Sequence, residues 1–237
     1  MHIKAFLPAS LIEFPGRIAD VLYVGACNFR CPFCYNVDLV LYPERLPDLE
    51  PAEVLQRLEQ RQGFVDGVVV TGGEPSLQSD LLPFLANLAQ TGLEVKLDTN
   101  GYKPDVLAEC LGRGLVDYVA MDIKSSLGKY KLAAGRPLDL QPLRESIALL
   151  LGSKVEYEFR TTVVPTLVEP QDVLSIGEMI AGAKRYFLQS YRPEPGVGWG
   201  EAPPVGPPQA ESLRQMAALV ADFVREVGIR GSAVGGA

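Results

Sequence analysis

Histidine is almost missing from this chain: of 237 residues only His2 carries an imidazole. Zinc centres usually recruit histidine beside cysteine, so its scarcity weighs against one. Cysteine is scarce as well, four in all, and no second Cys-x2-Cys pair exists to complete a zinc arrangement. Basic residues are outnumbered, 22 Lys and Arg against 29 Asp and Glu, giving a net charge of −7. A general nucleic-acid surface needs the opposite balance and is excluded. No apolar run approaches the ~20 residues that span a bilayer, so no membrane partner is expected. The N-terminus lacks the charged, apolar and small-residue order of a signal peptide. These absences predict a cytoplasmic protein, in which clustered thiols act as metal or redox ligands rather than disulfides. The remaining composition, 47% hydrophobic and 22% charged, fits one α/β domain over 1–237 with an ample core.

The cysteines that are present are concentrated. Three of the four fall in the octet Cys27-Asn28-Phe29-Arg30-Cys31-Pro32-Phe33-Cys34, while Cys110 lies far downstream. A [4Fe–4S] cluster normally takes four cysteine ligands. Three at this spacing leave one iron open to a small molecule.

Six apolar, β-rich runs punctuate the chain: 18–25, 67–71, 93–99, 116–123, 155–163 and 185–190. Their uninterrupted Val, Leu, Ile and Tyr suit strands buried on both faces. Amphipathic helix candidates follow them at 51–61, 80–90, 103–111, 143–151, 170–181 and 212–227. This alternation predicts parallel strands joined by right-handed crossovers, in an open sheet or a curved partial barrel. Residues 1–17 read as an N-terminal extension, 193–209 as a Pro/Gly-rich connector, and 231–237 as a mobile tail.

Polar motifs stand at the ends of these runs. Thr71-Gly72-Gly73-Glu74-Pro75 offers a glycine pair that permits close backbone approach and a negative charge, or simply a turn capping the next helix. Lys96-Leu97-Asp98-Thr99-Asn100-Gly101 ends a strand in a polar turn. In Met121-Asp122-Ile123-Lys124 the two charges share one side of an extended chain, as a surface ion pair or as part of a site. Glu156, Glu158 and Arg160 share a face of the fifth run, lining a barrel lumen or a solvated edge. Gln189 and Arg192 close the sixth.

The octet resembles the signature of radical S-adenosylmethionine (SAM) enzymes, whose pattern places an aromatic before the third cysteine, as Phe33 stands here. That resemblance implies an α/β fold of the partial (βα)6 TIM-like barrel type, with the site at the C-terminal strand ends. It implies one [4Fe–4S] cluster on Cys27, Cys31 and Cys34, and SAM on the open iron. Phe33, Gly72, Gly73, Glu74, Asp98, Asn100, Asp122, Lys124, Arg160 and Gln189 would then form the SAM site, with Glu74 meeting the methionyl ammonium. The "DTNG" and "D-x-K" segments resemble glycyl-radical-enzyme activases. Ser10-Leu11-Ile12-Glu13-Phe14-Pro15-Gly16 resembles the "SLIDYPG" opening of the anaerobic ribonucleoside-triphosphate reductase activating family.

By that likeness the reaction is removal of a glycyl hydrogen from a partner glycyl radical enzyme, with electrons from a flavodoxin- or ferredoxin-like donor. Pyruvate formate-lyase activase holds a monovalent cation with the aspartates of the same motifs, which implies one near Asp98 and Asp122, aided by Thr99. Tyr35 departs from the family, which commonly has histidine there, a change expected to act on cluster potential rather than ligation. Cys110 reads as a buried packing residue. The competing readings are a radical SAM enzyme acting on a small molecule, such as a 7-carboxy-7-deazaguanine-synthase-like reaction, and a non-enzymatic metal-bearing interaction module.

Overall fold

The structure, a computed structural model, describes residues 1–193 and 205–231. In chain order the elements are β1 (Ile3–Ser10), β2 (Ala19–Val24), α1 (Val37–Leu41), α2 (Pro51–Glu59), β3 (Gly67–Gly72), α3 (Leu81–Gln90), β4 (Glu94–Thr99) and α4 (Pro104–Gly112). There follow β5 (Tyr118–Asp122), α5 (Tyr130–Ala133), α6 (Gln141–Leu151), β6 (Glu156–Val163), α7 (Pro170–Met179), β7 (Tyr186–Ser190), α8 (Ala210–Val220) and β8 (Val227–Arg230). The eight strands follow sheet order in chain order, β1 to β8. Among the described residues no helix is long and apolar enough to cross a membrane.

All six expected strands form, as β2 to β7, with ends within two residues of the sequence reading. Two more appear. β1 runs antiparallel to β2, pairing Ile3 with Val24 and Ser10 with Ala19 across register breaks. It occupies Ile3–Ser10 of the stretch expected to be an extension. β8 pairs in parallel with β7, Phe187 opposite Gly228 and Gln189 opposite Arg230. The helix expected over 212–227 is corrected: α8 stops at Val220, and the apolar residues beyond it turn and enter β8. The expected connector falls largely, and the tail beyond Gly231 wholly, outside the described residues.

The chain divides into two compact units. The first holds Met1–Asn28, Asn36–Ala120 and Pro142–Glu156. Its parallel strands pair Ala19 with Gly67 through Val24 with Gly72, and Gly67 with Glu94 through Val70 with Leu97. Val21, Leu22, Val68, Val69, Val70 and Val95 are fully buried, as strands covered on both faces should be. Phe14 packs against the Tyr118 ring at 5.6 Å and joins Ala19, Val21, Val69 and Ala120 in a core cluster. α2 and α3 bury Val54 with Leu58 and Leu81, Phe84, Leu85 with Leu88, the i, i+3/i+4 stripes of helices covering a sheet. Buried Asp20 accepts from the Ala9 amide at 2.9 Å and from Arg61 Nε at 2.5 Å. It thereby holds Ala9, left-handed at φ +54°, at the β1 register break.

The second unit holds Phe29–Tyr35, Met121–Gln141 and the residues from Tyr157 onward. Here β6 and β7 pair in parallel, Phe159 with Tyr186 through Val163 with Ser190. Fully buried Glu158 takes a two-pronged ion pair from Arg230 of β8, at 2.6 and 2.8 Å. Arg230 also lies over the Phe187 ring at 3.7 Å. Of the three charges expected on one face of β6, Glu158 is paired from β8, Arg160 is buried and pairs with Asp122 at 2.8 Å, and Glu156 is exposed. α7 and α8 pack closely at Gly177, where a Cβ would meet Val220 Cγ1 at 2.6 Å.

Candidate cofactor-binding site

In the first unit, loops following β2, β3 and β4 are tied together at the C-terminal strand ends. The Gly73 amide donates to Val24 O and the Glu74 amide to Ala26 O, both at 2.8 Å. Asn36 Nδ2 donates to Gly72 O at 3.0 Å. The backbones are so close that a Cβ on Gly73 would lie 1.9 Å from Ala26 O, and one on Gly72, at φ +112°, 2.5 Å from Val24 N. The glycine pair therefore serves the seating of its loop on the segment that leads into Cys27. Glu74, 1% exposed, is the knot of this arrangement. Its Oε1 accepts from Ser76 N at 3.0 Å, Ser76 Oγ at 2.6 Å and Thr99 Oγ1 at 2.8 Å; its Oε2 accepts from Asn100 N at 2.7 Å. Burial pushes its pKa up against those four donors.

Asn100 carries the connection onward. Its Nδ2 donates to Asn28 Oδ1 at 2.7 Å and lies 3.8 Å from Cys27 Sγ. Asp98 points from the same strand end. It accepts from Thr71 Oγ1 at 3.1 Å and forms a buried ion pair with Lys96.

In the second unit the octet continues as Phe29–Tyr35. Arg30 N donates to Ala134 O at 2.8 Å, just beyond α5. Gly135 is left-handed at φ +68°, and a Cβ there would sit 1.7 Å from Arg30 O. Cys34 N closes a turn onto Cys31 O at 3.0 Å, and Phe33 is buried. Burial pushes the Cys31 thiol up to about 11, opposed by the charge of Lys124. Asp122 receives Lys124 Nζ at 2.9 Å and Arg160 Nε at 2.8 Å, one on each oxygen. Burial disfavours both charges of the Asp122–Lys124 pair, yet their mutual attraction, with Arg160, holds the carboxyl well below and the ammonium well above the ordinary range. Gln189 stands half-buried on β7, level with Thr162 and Arg230.

The sequence profile of the Radical SAM superfamily matches residues 21–179. This chain belongs to the radical SAM superfamily. Along its length this radical SAM protein is 29% identical, over 233 residues, to a "Putative glycyl-radical enzyme activating enzyme" of Methanocaldococcus jannaschii, covering 96% of this chain and 95% of the relative. It is 25% identical over 205 residues to a "Pyruvate formate-lyase-activating enzyme" of Streptococcus mutans, covering 80% and 77%. Among solved structures, Streptococcus suis SuiB superposes with a TM-score of 0.69 at 12% identity, over 90% of this chain and 49% of SuiB. The chain thus spans about half the length of SuiB, and the likeness is one of fold: α/β, of the partial TIM-barrel type expected.

The radical SAM family implies a [4Fe–4S] cluster and SAM, and the residues of this protein fit them. None of the four cysteines is tied up in a disulfide; Cys27 and Cys34 are partly exposed and Cys110 is buried in α4. Thiols are the ligands such a cluster takes. The expected monovalent cation gains no support. Asp98 and Asp122 already hold cationic side chains, and among the described residues no three carboxylate, histidine or cysteine groups converge on a single-ion site.

The radical SAM protein also uses groups that the motifs alone did not mark. Lys96 shares a face with Asp98 by the period-two rule that pairs Asp122 with Lys124, so its signal was present. Tyr35, in place of the usual histidine, donates to Arg192 O at 3.0 Å and accepts from Arg192 N at 2.8 Å, pinning the segment after β7. No local pattern foretells that contact between residues 157 apart.

Proposed function

We propose that this protein is a glycyl-radical-enzyme activase, whose substrate is a glycine loop of a partner enzyme of the anaerobic ribonucleotide reductase type. The observation that carries the reading is the likeness to an activating enzyme over nearly the whole of both chains, including segments outside the cysteine motif. In this reading Cys27, Cys31 and Cys34 hold the cluster. When bound, the cluster would supply the single electron that cleaves the SAM sulfonium, and the adenosyl group so released would take one glycyl α-hydrogen from the partner. A flavodoxin- or ferredoxin-like protein supplies that electron.

The chain's own groups bind and orient. Glu74, fixed by four donors, sets a negative charge beside the Gly72–Gly73 backbone, where it favours the methionyl ammonium. Asn100, anchored through Asn28, and Asp98, held by Lys96 and Thr71, present polar groups from β4. Lys124 stays charged and favours thiolate at Cys31, whose deprotonation cluster binding requires. Arg160 and Lys124, locked on Asp122, offer cationic N–H groups to a carboxylate.

The test is anaerobic reconstitution with iron and sulfide, followed by EPR of the reduced protein with and without SAM, then incubation with the co-purified partner. The expected results are a [4Fe–4S]⁺ signal altered by SAM, 5′-deoxyadenosine release, and a doublet from the partner's glycyl radical. A SAM-responsive cluster that leaves the partner's spectrum unchanged would reject the activase assignment.

A further inference from the structure

The chain carries a net charge of −7, yet one stretch of it reverses that sign. Residues 124–136 hold Lys124, Lys129, Lys131 and Arg136 and no acidic side chain; Asp139 is the first acid beyond them. Two of these cations turn to partners within the unit, Lys124 to Asp122 at 2.9 Å and Lys129 to Glu169 and Asp172 at 2.5 and 2.8 Å. Lys131 and Arg136 are exposed, and so is Arg30 of the cysteine octet.

Backbone contacts gather these three. Arg30 N donates to Ala134 O at 2.8 Å, and a Cβ on Gly135 would come 3.2 Å from Arg30 Cβ. Gly135 N donates to Leu132 O and Arg136 N to Lys131 O, each at 3.2 Å. Within this turn Leu132 is 64% exposed, a large apolar side chain that α5 leaves out of its own packing, where Tyr130 and Ala133 are the buried residues. The octet alternates in the same sense, Phe29 and Cys31 buried and Arg30 exposed between them. The outer surface over the Cys31 segment is therefore an exposed leucine beside three cations, on a protein that is acidic as a whole.

We propose that Arg30, Lys131, Leu132 and Arg136 form the docking surface for a small acidic electron-carrier protein that reduces the cluster. The proposal rests on the cluster reading above. One electron passes from the reduced carrier, which is oxidised, to the oxidised cluster, which is reduced, and no bond is made or broken. Charge argues for this occupant: a chain of net charge −7 repels an acidic carrier except where a local positive field steers it. Position argues for it too. The surface lies on the backbone that carries Cys31, so a carrier seated there approaches the cluster from outside, whereas a glycine loop has to enter among Asp122, Lys124 and Arg160. Size agrees, because one apolar residue with a cationic rim suits the weak electron-transfer encounters that bury less than about 1,200 Å².

The test uses the reconstituted protein, with fully reduced flavodoxin as the carrier and dithionite as a reductant too small to need a docking surface. Lys131→Glu and Leu132→Ala alter the surface, while Arg225→Glu, at an exposed cation before β8, makes the same change of net charge elsewhere. Iron and sulfide per chain, and the EPR change on adding SAM, should match wild type in all three. Anaerobic stopped-flow absorbance should show reduction by flavodoxin at low salt slowing on the order of tenfold in Lys131→Glu, with wild-type rates in Arg225→Glu and with dithionite throughout. Leu132→Ala should slow it as well and keep its salt dependence, which Lys131→Glu flattens. Wild-type flavodoxin rates in both Lys131→Glu and Leu132→Ala overturn the proposal, as do equal losses in Lys131→Glu and Arg225→Glu, which would mean that only net charge counts. Unchanged flavodoxin rates with lost glycyl-radical formation would assign the surface to the partner enzyme instead and overturn it equally. Wild type that takes up no iron overturns the cluster reading and this inference with it, whereas a wild-type cluster that dithionite reduces and flavodoxin does not overturns the inference alone.

Discussion

A single carboxylate shows how much of the site is built from inside the protein. Glu74 was legible as a charge next to two glycines, and two of its four donors are local, from Ser76, but the other two come from Thr99 and Asn100, up to 26 positions away, and leave no trace in the local pattern. Those bonds decide what its replacement does. Glu74→Gln keeps the shape while turning one acceptor oxygen into an N–H2 that must face either the Asn100 amide or the Ser76 and Thr99 group. Relief of the buried charge offsets part of the loss, so a net destabilisation of about 1–3 kcal/mol is expected. Urea denaturation of the metal-free protein measures it, and wild-type stability in the variant would sink the account. Cys110 gives the complementary case. It is fully buried in α4, its thiol pushed up to about 11 chiefly by burial. Cys110→Ala should therefore leave iron uptake intact at roughly 1 kcal/mol of stability. Alanine at Cys27, Cys31 or Cys34 should abolish uptake, as iron assay and visible absorbance after reconstitution will tell.

Among the elements, legibility followed burial. β2 to β7 were readable because both faces are covered, and a strand covered on both faces is written as an unbroken apolar run. β1 was hidden by an interior proline, Pro8, and by exposed positions on one side; β8 by its four residues, one glycine and one arginine. The overlong last helix has a related cause, since Phe223 and Val224 continue the helical spacing of α8 while belonging to the turn before β8. At the start of α7, a helix expected over 170–181, the partners of Asp172 come from outside the helix. Asp172 receives the Glu169 amide at 2.9 Å, Ser126 Oγ at 2.6 Å and Lys129 Nζ at 2.8 Å. Burial opposes its charge, yet Lys129, Ser126 and the Glu169 amide hold its pKa below the ordinary 3.8. A lowered carboxyl pKa stabilises the fold above the unfolded value, and that stabilisation is lost as pH falls through the folded one. Asp172→Asn should thus be less stable than wild type by about 1–2 kcal/mol near neutrality, with the two curves converging below about pH 3.8. Urea midpoints across that range decide it; a gap that persists in acid would mean the loss is steric.

For the whole molecule, a ligand that binds only the folded chain must raise its stability by mass action. At a concentration 100 times its dissociation constant that amounts to about 2.7 kcal/mol. In a chain of this size each kcal/mol moves the melting temperature by about 2–4 °C. SAM should therefore raise the melting temperature of the reconstituted protein by about 5–10 °C at saturating concentration, increasing further with the logarithm of SAM. On the proposed reading the metal-free protein should respond far less, because the open iron that would anchor SAM is then missing and only the contacts proposed for the chain's own side chains would be left. Anaerobic scanning fluorimetry of both forms, over a range of SAM concentrations, separates the two contributions. Equal shifts with and without iron would mean that the protein groups alone bind SAM and that the cysteines serve another purpose. A shift confined to the iron-loaded form would tie SAM to the cluster through a readout that depends on neither the partner enzyme nor the electron donor.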